Sequence, residues 1–169
     1  MKSIQTIFFF LVATLGLIIS CARPPDYPIE PVIEFLSVSS NFADQNSNTT
    51  FGDTVIATLS FTDGDGDIGN EDDEQTIFIR DLRDSSISNT AIQLPAVPEP
   101  GANNGISGEI LFRILPTCCI YPPEFLQIPC TPSTSSFRQD TVVYEVYIVD
   151  RAGNESNRVQ LEPIFVQCN

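Results

Sequence analysis

The chain has 169 residues, with 22 acidic side chains against 8 basic ones and no histidine, for a net charge of −14. That balance excludes nucleic acid as a partner, because grip on a polyphosphate is built from lysine and arginine. Without histidine the usual nucleophile and base pairs of catalysis are missing too, so the composition speaks for binding rather than turnover.

The chain opens MKSIQTIFFFLVATLGLIISC, with Lys2, an apolar run from Ile7 to Ile19, and Ser20 before Cys21. Such a stretch is a secretory signal, too short to span a bilayer comfortably and ending in a small residue. Ile18, Ile19, Ser20 and Cys21 resemble the lipobox of bacterial lipoproteins. The resemblance implies that residues 1–20 are removed and that Cys21 becomes a lipidated first residue, with enough acyl chains for stable anchoring in the outer membrane. Asp26 and Glu30 stand singly after Cys21, which leaves the periplasmic and surface faces both open. An ordinary cleaved signal with an incidental cysteine is the plainer alternative.

Loss of residues 1–20 removes the only lysine and leaves 22 acids against 7 arginines, a net charge of −15. Anionic lipid repels such a chain, so membrane contact falls to the anchor alone. About 149 residues remain, enough for one domain with a real core. Residues 21–31 carry the modified cysteine and a linker, ARPPDYPIEP, whose four prolines make it an extended tether reaching roughly 30 Å.

From residue 32 to 169 the chain reads as a succession of strands. Val32 to Ser39 is the first. In the second, Val55, Ala57, Leu59 and Phe61 alternate with more polar neighbours, the period-2 pattern of a strand packed on one face. Thr76–Leu82, Ala91–Leu94, Ile106–Leu115, Thr141–Val149 and Arg158–Val166 follow, separated by Gly, Pro, Asn, Asp and Ser. Seven short strands without a helical period predict an all-β fold, a single antiparallel β-sandwich.

YEVYIVDRAGNESN (Tyr144 to Asn157) resembles the penultimate strand and turn of bacterial immunoglobulin-like and fibronectin type III-like modules. TLSFTDGDGDIG (Thr58 to Gly69) resembles the end of their second strand. The chain has no tryptophan for the central core and no cysteine pair on the second and sixth strands, so an antibody-type domain is excluded. The resemblance implies that the turns after those two strands are neighbours at one pole.

There FTDGDGDIGNEDDE, Phe61 to Glu74, would meet DRAGN. The first holds seven carboxylates and no positive charge. Asp63, Asp65 and Asp67 alternate with glycines, which let the backbone bend until several oxygens converge. With Asp150 and Asn154 they form an all-oxygen ligand set of the kind calcium prefers, a structural Ca2+ site. Asp63, Asp65, Asp67 and Glu74 also fall at EF-hand spacing, but Ile68 occupies the position that loop reserves for glycine. The competing reading is a solvated acidic turn that needs no ion.

Beyond Cys21, the four cysteines Cys118, Cys119, Cys130 and Cys168 imply two disulfides in an exported chain. Zinc fits poorly without histidine or a C-x-x-C pair. Adjacent side chains of an extended segment point opposite ways, so one of Cys118 and Cys119 should pair with Cys130 and the other with Cys168. The long connection Pro116 to Pro132 carries Tyr121 and Phe125. It either offers a partner a braced apolar surface or folds back over an open sheet. The function these features suggest is a non-catalytic, lipid-anchored accessory or binding lipoprotein of the cell envelope, with an envelope protein as partner. The alternative is a carbohydrate-binding module stacking a glycan on Tyr121 and Phe125.

Overall fold

The computed structural model describes residues 26–45, 53–72, 74–83, 90–97, 105–115 and 118–168; the signal and Cys21 lie outside them. In chain order the strands are β1 (Val32–Val38), β2 (Phe42–Asp44), β3 (Val55–Asp63), β4 (Ile77–Asp81), β5 (Thr90–Ile92), β6 (Ile106–Ile114), β7 (Gln139–Val142), β8 (Tyr144–Ile148), β9 (Val159–Gln160) and β10 (Ile164–Gln167). The only helical element among the described residues is a 3-10 turn at Pro123–Phe125.

Alternation organises the first sheet. Val55, Ala57, Leu59 and Phe61 of β3 are buried, and the same phase carries the last residue of the strand, Asp63, inward as well. β1 lies antiparallel to β3 on one side and β6 on the other, from Val55 opposite Ile114 to Asp63 opposite Ile106. In the second sheet the order is β5-β4-β8-β9, again antiparallel. Tyr144, Val146 and Ile148 of β8 face inward, and the next residue in that phase is Asp150. The two inner faces share one apolar core, with Ile33, Leu59, Ile77, Val146 and Ile148 all fully buried. This is an all-β sandwich of antiparallel sheets.

Among the described residues ten strands stand where seven were predicted. The expected sixth strand is interrupted at Val143: β8 stays with β4, while β7 leaves to pair with β10. The expected seventh is interrupted at residues 161–163, where Pro163 has no N–H to give to a ladder. The short β2 was not foreseen, and it departs from antiparallel pairing by running parallel to β10.

The pole away from Asp63 is closed covalently. Cys118 bonds to Cys130 and Cys119 to Cys168, with Cα separations of 4.5 and 5.8 Å. Neighbouring cysteines thus take different partners, as their opposed directions require. A partly buried ion network stands nearby. The Arg83 guanidinium lies 2.6 Å from both Asp81 Oδ2 and Asp140 Oδ2, and Asp140 Oδ2 also accepts the Ile120 N–H at 2.8 Å.

Candidate metal site

The inward phases of β3 and β8 end in carboxylates at the same pole. Asp63 is fully buried and Asp150 nearly so. The chain leaves Asp63 through a tight turn in which Gly66 has φ of 77°, a left-handed conformation that side chains resist. That turn brings Asp67 back, so that its backbone N–H donates to Asp63 Oδ2 at 2.9 Å. Ile68, buried at 1% exposure, then pins the loop into the core, which is why an EF-hand glycine has no place there.

The turn after β8 meets this loop. The Arg151 N–H donates to the Asp67 carbonyl at 3.3 Å, and the Ala152 N–H to Asp67 Oδ2 at 3.0 Å. Carboxylate oxygens of Asp63, Asp65, Asp67 and Asp150 lie within 4.8 Å of one another. At an effective dielectric of ~20, two unit charges at that separation repel by about 3.5 kcal/mol. The Oδ1 atoms of Asp63, Asp65 and Asp67 are buried and have no hydrogen-bond partner. Each has been taken out of water and given nothing in return, an arrangement that native proteins avoid unless a ligand completes it.

The electrostatics reflect this. Burial first, then the charges of Asp65, Asp67 and Asp150, push the Asp63 carboxyl up from 3.8 to about 6, against the opposing pull of the Asp67 N–H. Asp67 is raised by burial and by Asp150 and Asp65, while the Ala152 N–H and the Arg151 guanidinium resist.

Four of the five predicted ligands therefore meet. Asn154 stands beside them, against Asp150. Its Nδ2 donates to Asp150 Oδ2 and its backbone N–H to Asp150 Oδ1, both at 2.8 Å, so it holds Asp150 in place. The other described carboxylates of the acidic run turn outward. Glu71 and Asp72 are exposed, and Glu74 accepts a bond from Asn70 Nδ2 at 2.9 Å.

The rings predicted to meet a partner are turned inward instead. Tyr121 is 6% exposed, its hydroxyl donates to the Thr131 carbonyl at 2.7 Å, and its ring meets Phe137 edge-on at 5.6 Å. Phe125, half-buried, leans on the same Phe137 at 5.6 Å. The disulfide-braced loop folds back on itself, and both rings pack against Phe137. Its exposed apolar side chains are Leu126 and Ile128.

Two contributors escaped the sequence reading. The N–H groups of Arg151 and Ala152 tie the loops together, and Tyr27 and Pro28 of the tether lie against Gly64. The inward placement of Asp63 and Asp150 was signalled, because both continue an alternating buried row. Comparisons with known protein families, curated proteins and solved structures return no match.

Proposed function

We propose that this chain is a calcium-stabilised, lipid-anchored binding domain of the cell envelope that serves an accessory or adhesive role and does not catalyse. The observation that carries the calcium assignment is the convergence of three buried, partnerless Oδ1 atoms with Asp150. Every donor is a hard oxygen, the class calcium selects. Oxygens bound at 2.3–2.6 Å around calcium stand up to about 5 Å apart, whereas the magnesium shell spans only about 4.2 Å. Four carboxylates drawn within 4.8 Å of one another fit inside the wider calcium shell. The sheet orders β1-β3-β6 and β5-β4-β8-β9 support kinship with fibronectin type III-like modules. The anchor assignment rests on the lipobox-like sequence ending at Cys21.

Melting the domain in calcium and in chelator tests the site. Extracellular modules bind calcium with Kd of about 0.1–1 mM, so ~1 mM ion at the tighter limit adds about 1.4 kcal/mol and raises Tm by roughly 3–6 °C. Asp65→Asn should abolish the shift, and magnesium should reproduce little of it. Equal shifts with the two ions, or a full shift in the variant, would return the loop to a solvated acidic turn.

A further inference from the structure

The tether reaches the acidic pole before the first strand begins. Val32 pairs with Thr62 and Ile33 with Phe61, so residues 26–31 must pass beside the Asp63 end of β3. They pass in contact. A methyl group placed on Gly64 would lie 2.5 Å from the carbonyl oxygens of both Tyr27 and Pro28. One placed on Gly105 would lie 2.8 Å from Tyr27 Cδ2 and 3.0 Å from the Asp63 carbonyl oxygen. Two glycines thus form the seat of the tether. One of them sits between the clustered carboxylates Asp63 and Asp65.

The other end of this junction is held rigidly. Asn157, from the segment after β8, accepts the Ile33 N–H at 2.8 Å and donates to the Ile33 carbonyl at 2.9 Å. β1 is therefore clamped between β3 and Asn157, while the tether before it rests on the acidic loop. Gly64 cannot move without carrying its neighbours. Without a cation, repulsion among the four carboxylates works against this packing, and the backbone contact of Gly64 with Tyr27 and Pro28 has no slack to absorb a shift of the loop.

We infer that occupation of the cation site governs the tether: the ion-bound loop seats residues 26–31, and loss of the ion releases them. The inference rests on the calcium assignment above and adds a consequence to it. Calcium would set the angle at which the domain stands on its anchor, turning a flexible leash into a fixed arm. An envelope domain whose binding face must point in one direction has a use for such an arm.

The test is backbone amide relaxation of the full-length chain in detergent, with calcium binding followed separately by calorimetry. Order parameters at Tyr27, Ile29 and Glu30 should rise from below about 0.6 in chelator toward about 0.85 in calcium. Tyr27→Ala, a change outside both the apolar core and the acidic loop, removes the ring that rests against Gly105. It should bind calcium as the wild-type chain does while the tether stays mobile. Calcium binding with unchanged order parameters in the wild-type chain overturns the inference and leaves the metal site standing. Absence of calcium binding overturns both.

Discussion

The backbone N–H of Ala152 donates to Asp67 Oδ2 at 3.0 Å, a hydrogen bond between residues 85 apart in the chain. It joins the loop after β3 to the turn after β8 without any ion. The ligand set is thereby preorganised, and an ion entering it need not order two separate loops. Removing calcium should lower stability without unfolding the domain.

The ion-free site should respond to pH in a direction opposite to ordinary acid denaturation. The folded domain takes up a proton at Asp63 as pH falls through about 6, whereas the unfolded chain does so only near 3.8. Between those values the native state binds more protons, so acidification stabilises it. The calcium-free Tm should therefore gain from this site as pH drops from 7 toward 4.5. Saturating calcium should remove or reverse the gain, because protons then compete with the ion. Circular dichroism melts of wild type and Asp63→Asn isolate the effect. If the two respond alike to pH without calcium, burial at Asp63 is not its source.

Arg83 should matter far more than a surface arginine. Its guanidinium neutralises Asp81, whose side chain is fully buried, and reaches Asp140 as well. Arg83→Met strands a buried carboxylate, and breaking such a network typically costs about 3–5 kcal/mol. Arg80, half-exposed and 3.7 Å from Glu145, provides the contrast, and Arg80→Met should change stability by less than about 1 kcal/mol. Urea unfolding of the two variants compares them directly.

The disulfides should contribute unequally. Loop-closure entropy assigns about 4 kcal/mol to the Cys119–Cys168 bond, with a sequence separation of 49, and about 3 kcal/mol to Cys118–Cys130, with a separation of 12. Loss of the first also uncouples the long loop from β10, so the double variant Cys119→Ala/Cys168→Ala should melt lower than Cys118→Ala/Cys130→Ala. Peptide mapping without reduction confirms the pairs beforehand.

Anchoring should depend on one residue. Cys21→Ser should accumulate as an uncleaved precursor that takes up no labelled fatty acid. Normal labelling and fractionation of that variant would refute the lipoprotein assignment and leave the sandwich unaffected.

Alternation is a local property, and most of what was legible follows from it. Val55, Ala57, Leu59 and Phe61 announce a one-faced strand from their spacing alone, and the same phase extended by two residues places Asp63 inside. The separate partners of Cys118 and Cys119 follow from the geometry of adjacent residues in an extended segment. Side-chain direction in a strand is set by the backbone of the strand itself, so a single chain suffices to read it. Register between distant segments is another matter. The departure of β7 to pair with β10, the parallel β2, and the inward fold of Tyr121 and Phe125 onto Phe137 depend on which surfaces remain to be covered once the sheets have met. The acidic run divides for the same reason. Asp63, Asp65 and Asp67 turn toward Asp150 because Gly66 and Ile68 curl the loop onto the core, while Glu71, Asp72 and Glu74 lie beyond that anchor and face solvent. Composition determined that this pole would be acidic; only tertiary contact decided which carboxylates would be stripped of water together.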